Sequence, residues 1–427
     1  MSELIPVGVS EVDVTPDYPV RLSGYGVRRE ETEKIKAPLY ARALAIGAAR
    51  PVLMLALDNC GVIESMTASV ARELNRRAGI DRERIVLCYT HTHNAPMLTG
   101  AAPMLFSTDI PAAHQRHIDR YTGEVSERLV EVGLRALSDR QPSRLSYSEG
   151  HAGFAVNRRV QIGPVDPVMP MIRVDDPEGN LRAVWVSYAC HCTTFGPADN
   201  FMCGDWAGFA AERIRRNHPK AVALVTIGCA ANANPFPRTG LSFSRRHGGD
   251  IAWEVDRLLG ITGRNLPGRI RCRLVHASLP YDTLPTREAW TAAAEKPDIT
   301  GFHARKWIAR MDSGEAVPEA LNYPVQGWSF GDELAIVFLA GEVVADYAFR
   351  LRRMYDPARL WIGAYANDFP GYIPSRRIWK EGGYEGGDAN VYFGLPNRFA
   401  GDVEERVVEA AQRVIPETFR RPRSNGD

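Results

Sequence analysis

Apolar runs of strand length alternate with stretches of helical period along most of the chain. Val52–Leu57 is a continuous apolar run and predicts a buried strand. Residues 64–78 follow with Met66, Val70 and Leu74 on one helical face. Residues 85–90 predict the next strand. The clearest helix covers 115–138, where Ile118, Tyr121, Val125, Leu129, Val132 and Ala136 recur three and four apart. Further strands are predicted over 184–190, 222–227, 335–340 and 360–366. Residues 325–330 pair with 335–340 through a turn at Gly331-Asp332. Helices are predicted over 206–217, with Ala207, Ala211 and Ile214 inward, and over 402–414, with Val403, Val407, Ala411 and Val414 inward.

This alternation predicts an α/β or mixed α+β fold: a large mixed sheet flanked by helices, with the active site at the carboxyl ends of the strands. Residues 285–320 break the pattern, setting Trp290, Trp307 and Met311 in polar sequence. They predict a helical insertion, either a lid over the site or a surface excursion. The tail 420–427 is polar and expected to fray.

Composition narrows the class. The 427 residues are 45% hydrophobic and 24% charged, an ordinary globular balance, with a formal net charge of +1. That charge argues against a dedicated nucleic-acid or membrane-surface role, and no run approaches the length of a membrane span. A small molecule is the expected partner, and a homo-oligomer stays open. The amino terminus shows no signal peptide, and seven cysteines without a secretion signal fit reduced thiols, so the expected compartment is cytoplasmic. Cys190-His191-Cys192 lacks an accompanying Cys-x2-Cys pair, and its cysteines flank the histidine on the opposite strand face. A thiolate metal site is therefore not expected.

The chemistry gathers at predicted strand ends. Residues 85–90 run into Thr90-His91-Thr92-His93, two of the chain's ten histidines at i and i+2, expected to point the same way on an extended segment. Residues 184–190 lead to His191, 222–227 to Asn232 and Asn234, 335–340 to Gly341-Glu342, and 360–366 to Asn367-Asp368 and the loop holding Tyr372. Two imidazoles and a carboxylate form a recurrent catalytic zinc set with a position open to water, and His91, His191 and Glu342 supply it.

An ordered series of motifs then resembles the neutral/alkaline non-lysosomal ceramidases. It opens with Gly8-Val9-Ser10-Glu11-Val12-Asp13-Val14-Thr15-Pro16, Gly24-Tyr25-Gly26 and Pro38-Leu39-Tyr40-Ala41-Arg42-Ala43. It continues through His91-Thr92-His93-Asn94-Ala95-Pro96, Asn157-Arg158, Gly204-Asp205, Pro324-Val325-Gln326 and Gly341-Glu342. It closes with Gly371-Tyr372-Ile373 and Tyr384-Glu385-Gly386-Gly387. The resemblance spans essentially the whole chain, as the family's amino-terminal catalytic domain; longer members add a carboxy-terminal β-sandwich and are secreted or membrane-facing.

The resemblance implies a zinc ion held by His91, His191, Glu342 and Tyr372, with His93, Arg158 and Tyr384 contacting substrate or transition state. It implies hydrolysis of an amide bond by a zinc-activated water, with His93 or Glu342 assisting as base. Asp205 is the expected outer partner of the liganding histidines, or else a helix cap. One stretch departs from the pattern: Asn232 and Asn234 stand where the family carries an aspartate and a serine. An amide is no nucleophile but can hydrogen-bond a substrate hydroxyl or oxyanion, so Asn234 joins the expected site residues. A substrate smaller and more polar than ceramide is expected. An esterase or lactonase using the same zinc, and a non-catalytic binding protein of the same fold, remain the alternatives.

Overall fold

The computed structural model describes residues 3–421, so most of the expected frayed tail, residues 422–427, lies outside the described residues. Two sheets lie face to face between helices. The larger sheet runs in the order Val222–Ile227, Leu181–Tyr188, Val168–Asp175, Gln141–His151, Ile5–Asp13, Tyr40–Ile46, Val52–Leu57, Ile85–Tyr89, with Arg264–Asn265 paired beside Gln141–His151. It is mixed: Leu181–Tyr188 pairs parallel with Val222–Ile227, and Val52–Leu57 parallel with Ile85–Tyr89, whereas the remaining neighbours are antiparallel. The smaller sheet runs Ile270–Pro280, Ala320–Phe330, Leu334–Leu339, Leu360–Gly363. The expected mixed architecture with a large helix-flanked sheet is borne out, with the strands near 335–340 and 360–366 in the second sheet.

Period-two alternation sorts side chains between two cores. Leu44, Ile46, Val52, Met54, Val86 and Trp185 of the larger sheet meet Trp328, Ile336, Phe338 and Trp361 of the smaller one in an inter-sheet core. Their alternates, including Leu53, Leu55, Leu57, Leu87 and Tyr89, face the helical side with Val70, Leu74, Ile118, Val125 and Leu129. Helices Glu64–Ala78 and Ala112–Ser138 pack together there, and the longer one lies on Ile5–Asp13 and Tyr40–Ile46. Gly8 permits that approach, because a Cβ on it would come within 2.0 Å of the Ala136 carbonyl oxygen. Helix Val403–Val414 covers the smaller sheet on Ile270–Pro280 and Ala320–Phe330.

The larger sheet joins its halves only through the short pairing of Ile5–Val7 with Gln141–Ser143. It folds over there, so that Val222–Ile227, at one end of the order, approaches Ile85–Tyr89 at the other. Residues 364–367 close the gap. The Ala364 amide donates to the Ile227 carbonyl at 3.0 Å, Ala366 to Leu339 at 3.2 Å and Asn367 to Leu87 at 2.7 Å. The expected strand over 360–366 therefore ends at Gly363, and its continuation bridges both sheets.

Residues 285–320 do hold helices, Arg287–Ala294 and Ile299–Asp312, around a small core of Trp290, Ala304 and Trp307. They lean on the 388–395 segment, where the His303 Nε2 lies 2.8 Å from the Leu395 carbonyl oxygen. Among the described residues no helix is long and apolar enough to cross a membrane.

Candidate active site

His91 follows the strand Ile85–Tyr89, and its backbone is left-handed, with φ 57°. The extended reading of residues 91–93 is thereby corrected. Instead of lying side by side, the His91 and His93 rings meet edge to face, centroids 4.8 Å apart, with their Nε2 atoms 3.1 Å from each other. His191 lies three residues beyond Leu181–Tyr188, which ends two residues earlier than expected. Glu342 follows Leu334–Leu339 through Gly341 at φ 68°, then pairs in parallel register with Tyr372. His91, His191, Glu342 and Tyr372 are buried, and His93 is half-buried at the edge of the cleft.

The two histidines are oriented alike. His91 Nδ1 lies 2.6 Å from the Cys60 carbonyl oxygen and His191 Nδ1 lies 2.7 Å from the Ala230 carbonyl oxygen. A carbonyl can only accept, so each Nδ1 carries the proton and donates it, leaving each neutral Nε2 as an acceptor. Both Nε2 atoms face Glu342 Oε2, at 3.3 Å from His91 and 2.9 Å from His191. When both rings are neutral, three acceptors converge with no proton of their own between them. Such a donor set fits a cation, and these three ligand atoms lie within 4.8 Å of one another. A second cluster, Cys60 with His91 and His93, meets the same distance. It fits less well, since its thiol lies 3.9 Å from the His91 nitrogen already committed to the Cys60 carbonyl.

Charge within this pole is finely divided. Burial works against a positive His91, but the Glu342 carboxylate outweighs it and pushes His91 up to about 10, so a proton on His91 Nε2 competes with a cation for the place beside Glu342. Burial, reinforced by the Arg158 charge, pushes His191 down to about 4. Burial and the two neighbouring imidazoles hold His93 well below the usual histidine range. Burial opposes ionisation of Glu342, yet the histidines hold it well below the usual carboxylate range.

Asp205 does not touch either histidine. Its carboxylate accepts from the Thr194 amide at 2.8 Å, the Trp206 amide at 2.6 Å and the Ser244 hydroxyl at 2.9 Å. It ties helix Asp205–Asn217 to Leu241–Leu259 and to the loop after His191. The expected outer-partner role falls to backbone carbonyls of Cys60 and Ala230. Asp205 has one indirect link, since the neighbouring Trp206 indole donates to the His191 carbonyl at 2.9 Å.

Toward solvent the pole opens into a cleft of about 580 Å³ lined by Tyr25, His93, Arg158, Thr193, Asn234, Tyr372 and Tyr384, among others. A two-stranded ribbon, Ala155–Asn157 against Ala233–Pro235, carries Arg158 at one end and Asn234 within it. Arg158 Nη2 donates to the Tyr372 hydroxyl at 3.0 Å and Nε to Glu385 at 2.7 Å. Tyr384 packs edge-on to Tyr372, with centroids 5.2 Å apart. Asn234 accepts at 3.2 Å from the Thr193 hydroxyl, and the Asn232 side-chain oxygen caps the Ala345 amide at 3.0 Å. All eight expected site residues therefore gather at this pole and its cleft, whereas Asn232 serves the backbone. Cys190 and Cys192 are buried thiols outside both clusters.

Several neighbours had no sequence-based assignment. Tyr365, left-handed at φ 54°, packs tilted against the His91 ring at 4.8 Å and edge-on to that of His191 at 6.0 Å, centroid to centroid. Glu385 holds both Arg158 and Arg159. Its place beside Tyr384 was a usable signal; nothing in the sequence marks Tyr365.

The fold is similar to that of solved neutral ceramidases, and part of the chain is similar in sequence to a curated one. The chain is 22% identical over 226 residues to neutral ceramidase A of Dictyostelium discoideum, a match spanning 48% of this chain and 31% of that protein. The crystal structure of neutral ceramidase from Pseudomonas aeruginosa superposes with a TM-score of 0.75 at 17% identity, over 99% of this chain and 77% of that one. A ceramidase complexed with C2 gives 0.73 at 17% identity, over 99% and 78%. No family model matches the chain. The resemblance read from the motifs is borne out, and the shared fold extends along nearly all of the chain.

Proposed function

We propose that the chain is a zinc-dependent hydrolase that cleaves an amide bond in a substrate smaller and more polar than ceramide. The observation that carries the reading is the convergence of His91 Nε2, His191 Nε2 and Glu342 Oε2, with both Nδ1 protons committed to carbonyls. His91, His191, Glu342 and Tyr372 would hold the ion. Zinc bound there would polarise the scissile carbonyl and bring the pKa of a water down toward ~7. His93 stands at the cleft wall as a neutral imidazole within reach of a water at the pole, although the burial that keeps it neutral also makes it a weak base. Arg158 and Tyr384 place donors where the carbonyl oxygen gains negative charge, Arg158 being held in place by Glu385. Asn234 offers an amide to a polar substrate group. Val160 is the aliphatic side chain among those lining the cleft, which supports a polar substrate over a long acyl chain.

The test is metal analysis of the purified protein together with a panel of acylated amines, esters and lactones. The reading expects close to one zinc per chain and amide turnover abolished by a chelator. A protein that retains no divalent metal, or one whose turnover survives Glu342→Ala, would overturn it.

A further inference from the structure

We propose that Arg238 selects the substrate, receiving, with Tyr25 behind it, a carboxylate carried by a compact amide. This rests on the amide-hydrolase reading and adds the chemical class of what is cleaved.

The cleft contains three guanidinium groups, and their partners differ. Arg158 and Arg159 both bind Glu385, and Arg159 also reaches Glu381 at 3.2 Å. Arg238 makes no ion pair among the described residues. Its polar contact is Nη2 to the Tyr25 hydroxyl at 3.2 Å. The Tyr25 proton is itself given to the Phe195 carbonyl at 2.8 Å, so the phenol accepts from Arg238. The guanidinium is thus oriented but not neutralised, with the rest of its five-donor fork uncommitted. Tyr25 is fixed in turn, between the Arg28 guanidinium at 4.6 Å from its ring centroid and the His93 ring at 4.9 Å.

Arg238 therefore stands one aromatic ring away from His93, whose Nε2 is 3.1 Å from His91 Nε2. Arg238 and His93 line the same cleft, so a compact amide can set its carboxylate at the one and turn its carbonyl toward the other. The planar fork matches a carboxylate bidentately. A neutral lipid would leave that charge partly desolvated and without a partner.

The experiment compares N-acetylglycine with N-acetylglycinamide as substrates of the zinc-loaded protein, and 4-oxopentanoate with 4-oxopentanamide as ligands in calorimetry. The second pair replaces the amide nitrogen by carbon and cannot be hydrolysed in the same way. It reads Arg238 even if the hydrolase reading fails. Wild type is expected to favour the carboxylate member about 10- to 100-fold in both pairs. Arg238→Gln should lose most of that ratio, and Arg238→Lys should keep part of it. A phosphate-bearing analogue, N-acetylated phosphoethanolamine, separates carboxylate recognition from general anion attraction: a preference for it over N-acetylglycine overturns the assignment. So does a wild-type ratio near one in the calorimetric pair, or a ratio that Arg238→Gln leaves intact. If the purified protein retains no divalent metal while the calorimetric ratio behaves as expected, the hydrolase reading fails and the Arg238 assignment stands.

Discussion

The buried pole and the open cleft solve opposite problems with similar side chains. At the pole, each histidine has one nitrogen fixed by a backbone carbonyl, and the carboxylate faces both of the others. In the cleft, arginines rest on side chains of neighbouring loops, and Arg238 keeps most of its donors free. Backbone partners cannot be lost by substitution, whereas side-chain partners can. The pole is thereby suited to constancy of chemistry and the cleft to adjustable selectivity.

The sharpest way to break this contrast is Glu342→Ala. It should abolish stoichiometric zinc and lower amide turnover by more than the ~10²-fold typical of losing an outer partner, read by metal analysis and kcat/KM. Trp361→Ala tests whether the pole depends on sheet docking. Trp361 lies in the inter-sheet core 4.5 Å from Trp185, centroid to centroid, and its truncation should cost about 3–5 kcal/mol in urea unfolding. A cost below about 1 kcal/mol would show that the sheets do not hold each other. Arg158→Gln probes the cleft: kcat should fall roughly 10²-fold with zinc content retained. Loss of zinc in that variant would move Arg158 from the cleft to the pole.

The smallest effect is a pH slope. Burial raises Asp368 from its ordinary 3.8 to about 6. The folded chain therefore takes up this proton before the unfolded chain does. The stabilisation is complete below about pH 4 and is lost as pH rises through about 6. Its Oδ1 accepts from the Glu64 and Phe369 amides, both at 2.8 Å, which an asparagine oxygen can also do. Asp368→Asn should flatten the fall in stability between pH 4 and 6, by about 1–2 kcal/mol in denaturant titrations. An unchanged slope would rule Asp368 out as its source.

Legibility followed the physics of each element. Val52–Leu57 and Val222–Ile227 were readable because they are buried on both faces and hence apolar at every position but Thr226. Gln141–His151 was not, since polar residues fill its half-exposed positions. Helix Leu241–Leu259 was hidden for another reason. Its buried face includes Ser244, His247 and Gly248, and a Cβ on Gly248 would lie 2.7 Å from the Ala210 amide nitrogen. Close helix contact there demands small residues, which erases the apolar stripe. At the site, the ligand-capable side chains were visible as residue types after apolar runs. Their outer partners were not, because carbonyls of Cys60 and Ala230 have no sequence signature, which is how Asp205 came to be expected in their place. The left-handed turn at His91 was equally silent.

The bridge at residues 364–367 also has a temporal meaning. It joins Ile227, Leu339 and Leu87, positions far apart along the chain, and the pole assembles from His91, His191 and Glu342 around it. Closing loops of that length is among the slower steps available to a folding chain. During synthesis, the first two histidines emerge long before their carboxylate. A ribosome-bound chain would thus remain without a complete pole until Glu342 and the bridge at residues 364–367 have left the exit tunnel.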